Sequence, residues 1–142
     1  MTKIDIISIC VILLALLQIV MFILFFCKKE IQRNKSLLVD LDGVLNTYCG
    51  SYIEGEIPPP KEGAEKFLEK LSQHFNVEVY TVRDLKLTIE WLIKYKLDKY
   101  ISNVSNVKNP KATVIIDDRA LRFEGDYEKT FNDIINFQPY WK

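Results

Sequence analysis

Two pairs of aspartates follow apolar runs and hold the side chains best suited to chemistry: Asp40, Asp42, Asp117 and Asp118. Crowded carboxylates repel one another, and a hard divalent cation such as Mg²⁺ relieves that repulsion because it prefers oxygen ligands. An aspartate can also act as a nucleophile and take up a phosphoryl group. A lone Asp-x-Asp-Gly is also a common turn, but an ordered set at strand ends favours a magnesium-assisted phosphoryl transfer.

Strand and helix patterns alternate around these aspartates. Strands are predicted at 37–39, 77–81 and 112–116, with a shorter one at 100–104; helices are predicted at 61–74, 85–97 and 126–137. Residues 47–60, which contain three prolines and two glycines, indicate a loop or a small hairpin. The alternation predicts an α/β fold, with a parallel sheet in three layers. Ligands bind at the carboxyl ends of such strands, so Asp40, Asp42, Thr81 and Asp117 are expected at one edge.

Two arginines lie close to these positions. Arg83 follows Thr81 by two residues, and it either binds an anionic group of a substrate or forms a salt bridge with Asp84 or a neighbouring loop. Arg119 follows the second aspartate pair and is expected to brace those carboxylates. The only histidine, His74, is expected at a helix end. This composition disfavours zinc, and the two tryptophans and the tyrosines are interpreted as packing residues.

The motifs in chain order resemble the haloacid-dehalogenase (HAD) superfamily of phosphohydrolases, in particular its small bacterial and phage members. The first motif of that family, Asp-x-Asp-Gly after an apolar strand, matches 37–45, and its second, a Thr closing the next strand, matches 77–81. The acidic pair of the fourth motif matches 114–118, and the run from Phe123 to Asp126 is also similar. The resemblance covers roughly 37–137, and it implies a Rossmann-like HAD fold.

The resemblance implies a role for each matching residue. Asp40 is expected to be the nucleophile, and Asp42 the general acid and then the general base. Thr81 and Lys108 are expected to bind the phosphate, with Arg83 as a further phosphate ligand. Mg²⁺ is expected between Asp40, Asp117, Asp118 and the backbone carbonyl of Asp42. These roles agree with a transition state in which negative charge spreads over oxygen atoms.

The third family motif, a lysine, is matched less closely. Lys108 is the better match, but Asn109 separates it from Pro110, which leaves Lys111 as a second candidate. The segments on either side of Thr81 are too short for a folded cap domain. A minimal cap or none is therefore expected, and an open site of that kind admits a large or a small phosphorylated substrate, whose class stays undetermined.

An uncharged apolar run at residues 6–27 precedes this domain. Its 22 residues, at about 1.5 Å each, span roughly 33 Å, enough for a transmembrane helix. The sequence therefore predicts a tail and membrane helix at 1–27, a basic linker at 28–35 and a catalytic domain at 36–142. Lysines and arginine after the run outnumber the charges before it, which predicts a single-pass protein with its domain in the cytoplasm.

Composition excludes some broad classes. The 142 residues carry 19 Lys and Arg against 19 Asp and Glu, so a general nucleic-acid binder is not expected. Only Cys49 lies in the predicted domain, so no disulfide forms within it. Two alternatives to a phosphatase stay open: a membrane-anchored binding or scaffold module with a weak or inactive site, and a phosphotransferase with an acceptor other than water.

Overall fold

Four short strands form one parallel sheet in the order β3-β2-β1-β4. The computed structural model describes residues 6–33 and 35–142, with side chains described for 8–28 and 35–142. The elements are α1 (Ile6–Arg33), β1 (Ser36–Asp40), a wide helical turn (Leu41–Leu45), α2 (Ala64–Ser72), β2 (Asn76–Tyr80), α3 (Leu85–Lys94), a 3₁₀ turn (Asp98–Tyr100), β3 (Asn103–Ser105), β4 (Ala112–Ile116) and α4 (Tyr127–Ile135). The predicted α/β class with a parallel sheet is confirmed.

The core lies between the sheet and the two crossover helices. Alternate residues of β1 and β2 point toward α2 and α3, since successive side chains of a strand lie on opposite faces. The buried cluster contains Leu37, Val39, Leu41, Leu45, Leu68, Val77, Val79, Trp91, Leu92 and Leu97. By contrast, α4 has no buried residue, and Phe131 and Ile135 on it are largely exposed.

The strand order reverses next to β1. The chain passes from β1 through β2 to β3 on one side, and then returns across the sheet to place β4 on the other side of β1. In open parallel sheets, ligands bind outside the carboxyl ends of the strands at such a reversal. The residues that follow β1 and β4 therefore occupy the favoured position for a site.

Several predicted boundaries were wrong by a few residues, for local physical reasons. Helix α2 begins at Ala64 and not at Lys61, because Gly63 has a positive φ of 85° and the Lys61 N–H bonds the carbonyl of Leu45. The third strand begins at Asn103, after the 3₁₀ turn, and not at residue 100. Residues 47–60 form a loop with one isolated bridge between Asn46 and Pro60 at its base.

Helix α1 is longer than the apolar run. It continues to Arg33, so the predicted linker 28–35 is helical over most of its length. Within the described residues, one helical stretch, Ser8–Lys28, is long and apolar enough to cross a membrane, and its side chains are exposed. Of the flanking charges on which the predicted orientation rests, Lys28 and Lys35 are exposed, and the others lie outside the described side chains: Lys3, Asp5, Lys29, Glu30 and Arg33.

Candidate active site

Strand pairing places two of the aspartates side by side. Val39 of β1 pairs with Ile116 of β4, so the next residues, Asp40 and Asp117, leave the sheet together at its carboxyl edge. On the other side, Asp40 pairs with Tyr80, and Thr81 follows at the same edge. The register thus brings the ends of three strands to one place, as the sequence predicts.

Three carboxylates form a compact group at this edge. One oxygen from each of Asp40, Asp117 and Asp118 lies within 4.8 Å of the others. The side chain of Asp118 is fully buried, and its Oδ1 atom makes no hydrogen bond with the described residues. The backbone N–H of Arg119 donates to Asp117, and the Arg119 Nε lies 3.6 Å from Asp118. Arg119 therefore braces the acidic pair, as expected.

Burial and the neighbouring carboxylates make Asp40 harder to ionise. The residue is only 9% exposed, and Asp117 is the charge that opposes its ionisation most strongly. Burial, then Asp117, and more weakly Asp118 and Asp42 raise the pKa of Asp40 to about 7, against a hydrogen bond from the Leu41 N–H that lowers it. A buried carboxylate that resists ionisation in this way is typical of functional sites.

Asp42 lies outside the group of three and forms a buried ion pair. Its carboxylate accepts hydrogen bonds from Arg83 Nε at 2.7 and 2.9 Å, and from the Asn46 side-chain amide at 2.8 Å. The Asn46 side-chain oxygen in turn accepts the N–H of Gly43. Asp42 is therefore held in place near the start of the turn Leu41–Leu45.

Arg83 joins this carboxylate to the loop 47–60. Its Nη1 donates to the carbonyls of Ile53 and Glu56, and the Tyr52 ring lies 4.5 Å from its guanidinium carbon. Its Nη2 is buried and has no hydrogen-bond partner among the described residues. Of the two alternatives for Arg83, the contact with a neighbouring loop is present, but the ion-pair partner is Asp42 and not Asp84, which instead caps α3.

The predicted phosphate-binding residues have different surroundings. Thr81 is buried, and its hydroxyl oxygen accepts the N–H of Arg83, which leaves its own proton free to be donated. Lys108 and Lys111 are exposed, and their ammonium groups contact none of the described carboxylates. A different lysine reaches the turn Leu41–Leu45: Lys61 Nζ donates to the Gly43 carbonyl at 2.8 Å.

Residues from the end of the chain also reach the site, which the sequence did not predict. The Tyr140 hydroxyl donates to the Gly43 carbonyl, and the Trp141 indole N–H donates to Asp118. Trp141, interpreted from the sequence as a packing residue, therefore also makes a polar contact. No local signal indicates this contact, because 23 positions separate Trp141 from Asp118.

The site thus combines a buried carboxylate, a paired aspartate two residues later and a set of oxygen atoms suited to a hard cation. That combination suits transfer of a charged group from oxygen to oxygen. No protein-family model, curated protein or solved structure matches the chain.

Proposed function

We propose that this protein is a Mg²⁺-dependent phosphatase of the HAD type, with Asp40 as its nucleophile. The observation that carries the proposal is the meeting of Asp40, Asp117 and Asp118 within 4.8 Å at the reversal of strand order. The motif resemblance supports it, since each residue of the group occupies its family position. The same resemblance leads us to propose a three-layer Rossmann-like HAD domain.

The proposed reaction has two steps. An Asp40 oxygen attacks phosphorus, the bond from phosphorus to the leaving oxygen breaks, and Asp42 gives that oxygen a proton. Asp42 then takes a proton from water, the water oxygen attacks phosphorus, and the bond to Asp40 breaks. Inorganic phosphate leaves, and both carboxyl groups return to their starting states. The Leu41 N–H, which donates a hydrogen bond to Asp40 Oδ1, helps to orient the attacking carboxylate.

The residues of the group fit a magnesium ion. All three donors are oxygen atoms, and the buried Asp118 Oδ1 accepts no hydrogen bond from the described residues, its contact with Arg119 Nε being 3.6 Å. Burial and then the charge of Asp117 raise the pKa of Asp40, and a bound cation would oppose both effects. Asp40, Asp117 and Asp118 would hold the ion, with the Asp42 carbonyl as expected from the resemblance. When bound, Mg²⁺ supplies positive charge to the phosphoryl oxygens.

Three further residues are proposed to act on the phosphate. Thr81 has a hydroxyl proton free to donate to a phosphoryl oxygen. Lys108, with Lys111 as the alternative, would neutralise its charge, and both lie on the segment between β3 and β4. Arg83 contributes through its unpartnered Nη2, while its other nitrogens hold Asp42 and the loop.

The surroundings of the site indicate what it admits. Among the described residues, no folded domain lies over it. The loop 47–60 borders it, held by Arg83 and by the Trp91 indole N–H, which donates to the Pro58 carbonyl, and Tyr140 and Trp141 also reach it. We therefore propose a phosphomonoester substrate whose size is not limited by a cap domain. We also propose that Ser8–Lys28 spans a membrane and leaves the domain in the cytoplasm.

A second candidate is a membrane-anchored binding module without turnover. The engagement of both Asp42 oxygens by Arg83 favours it, because oxygens that already accept hydrogen bonds from a guanidinium are not directed at a leaving group or a water molecule. Transfer of the phosphoryl group to an acceptor other than water would use the same first step, and product analysis distinguishes it.

The first test measures phosphate release by the full chain in detergent micelles. Aryl phosphate, nucleotides, phosphopeptides and phosphorylated nucleic-acid ends serve as substrates, with Mg²⁺ or with EDTA. We expect release that requires Mg²⁺ and that falls by at least about 10³-fold in Asp40→Asn, since the nucleophile is lost. Asp133→Asn, an exposed aspartate on α4, is the matched control and should keep full activity.

Two results would contradict the proposal. Equal activity of native protein and Asp40→Asn would exclude Asp40 as nucleophile. A folded native chain that binds Mg²⁺ but releases phosphate from no substrate would favour the binding module.

A further inference from the structure

The last residues of the described chain pack against the acidic group. Pro139 to Lys142 follow α4, whose own side chains are not buried, yet Trp141 is partly buried beside the site. Its ring meets the Tyr48 ring edge to face, with centroids 6.1 Å apart, and it lies against Gly50. The Trp141 indole thus packs against the start of the loop 47–60.

The neighbouring residue makes a second contact with the same region. The Tyr140 hydroxyl shares the Gly43 carbonyl with Lys61 Nζ, which also lies 4.4 Å from the centre of the Tyr140 ring. Gly43 itself faces Asp118. Two successive side chains, Tyr140 and Trp141, therefore reach two adjoining parts of the site, which argues against a chance contact of one residue.

The two oxygens of Asp118 have different surroundings. Oδ2 accepts the indole N–H, while Oδ1 makes no hydrogen bond with the described residues. A carboxylate turns about its last side-chain bond through a broad range of angles. A fixed donor on one oxygen removes that freedom and decides which oxygen faces the acidic group.

We propose that Trp141 is a positioning residue that holds Asp118 in the orientation required for binding a divalent cation. This inference rests on the proposed function, because it takes Asp118 to be a ligand of Mg²⁺. Loss of a residue that orients a ligand carboxylate typically lowers metal affinity by about 10–100-fold. The indole is also rigid and only partly exposed, so the orientation is set before the cation arrives.

The test compares Trp141→Phe with the native chain in detergent micelles, with MgCl₂ as the probe. Phenylalanine keeps an aromatic ring against Tyr48 but removes the N–H donor. We expect the Mg²⁺ dissociation constant from calorimetry to rise by about 10-fold or more. We also expect Mg²⁺ to change the indole fluorescence of the native chain and not that of Trp141→Phe, since the remaining Trp91 is buried in the core.

Lys142→Gln is the matched control, because Lys142 is exposed and its side chain contacts none of the described residues. It should keep the native affinity and the fluorescence response. If Trp141→Phe does not fold, Asp118→Asn answers the question in metal-free protein. That variant should shift the indole emission, since an amide replaces the charge beside the ring N–H.

The outcomes separate this inference from the proposed function. Native affinity in folded Trp141→Phe, or unchanged emission in Asp118→Asn, would overturn the role of Trp141 and leave the phosphatase standing if Asp40→Asn is inactive. A native chain that binds no Mg²⁺ would overturn both.

Discussion

Among single residues, Asp40 and Asp42 show how neighbours give two aspartates of one motif different properties. Asp40 faces other carboxylates, and burial together with Asp117 raises its pKa to about 7. Asp42, two residues later, faces the guanidinium of Arg83. A bound cation would therefore stabilise the ionised form of Asp40, whereas Asp42 is already paired with the guanidinium cation of Arg83.

The raised pKa of Asp40 predicts how stability changes with pH in metal-free protein. Between pH 4 and 7 the folded state keeps a proton that the unfolded state has lost, so the contribution of Asp40 to the free energy of unfolding falls as pH rises. Asp40→Asn removes this penalty. We compare the free energy of unfolding of Asp40→Asn with that of the native protein at each pH. We expect the difference to favour the variant by about 1–3 kcal/mol more at pH 8 than at pH 5.

Urea unfolding of the full chain in micelles with EDTA measures this difference. The exposed variant Asp133→Asn, in which no buried carboxylate changes, serves as the reference. An equal stability difference at pH 5 and pH 8 would show that Asp40 ionises in its ordinary range.

At the residue scale, the positions of the candidate residues were predictable where a local pattern determines them. Asp40, Asp117 and Thr81 follow strands, and parallel pairing brings strand ends together. The ion-pair partner of Arg83 was not predictable from the sequence. Asp84 is adjacent to Arg83, whereas the actual partner, Asp42, lies 41 positions away, and no local pattern favours it over Asp84. The contacts of Trp141 depend in the same way on the folded path of the chain.

Among the elements, the turn from Leu41 to Leu45 sets the shape of the site. Gly43 gives it a positive φ of 79°, and a Cβ atom built on Gly43 would overlap the Asp118 carboxylate, whose carbon atom would lie 2.7 Å away. That separation is far below any normal contact between two carbon atoms. The turn and the residues after β4 therefore approach each other as closely as a glycine allows.

Gly43→Ala should accordingly damage the site more than the fold. We expect at least about a 10-fold loss of Mg²⁺ affinity, because Asp118 must move away from the new methyl group. Gly63→Ala is the matched control: its φ of 85° makes alanine similarly strained, but nothing lies within 4 Å of the added carbon.

Calorimetry with MgCl₂ and thermal unfolding of both variants separate the two effects. Gly63→Ala should lose stability and keep the native Mg²⁺ affinity. Equal Mg²⁺ affinities in the two variants would mean that the approach of Gly43 to Asp118 has no effect on the site.

The type of each element was predictable where apolar residues repeat regularly, and the boundaries were less so. The end of α3 illustrates the reason. The apolar pattern continues to Leu97, but the helix ends at Lys94 because Lys96 adopts a φ of 58° and the Leu97 N–H turns back to the Leu92 carbonyl. Leu97 is buried whether or not it is helical, so periodicity alone extended the helix too far.

For the whole molecule, the cysteines allow a direct test of the proposed arrangement across a membrane. Cys49 is exposed on the loop 47–60, whereas Cys10 and Cys27 lie within the apolar helix. We expect a membrane-impermeant maleimide to leave the protein unlabelled in intact cells and to label Cys49 once the membrane is opened.

Cys49→Ser should remove the labelling in opened cells and identifies the reacting residue. Labelling of native protein in intact cells that disappears in Cys49→Ser would place the domain outside the cytoplasm and reverse the proposed orientation.

The close join between α1 and β1 has a consequence for kinetics. Only residues 34 and 35 separate Arg33 from Ser36, and such a link reaches roughly 10 Å. A domain held so near a bilayer by the proposed span moves in two dimensions. Its encounters with any substrate fixed to the same surface would then depend on molecules per unit area, and rates would have to be compared at equal lipid area instead of equal molar concentration.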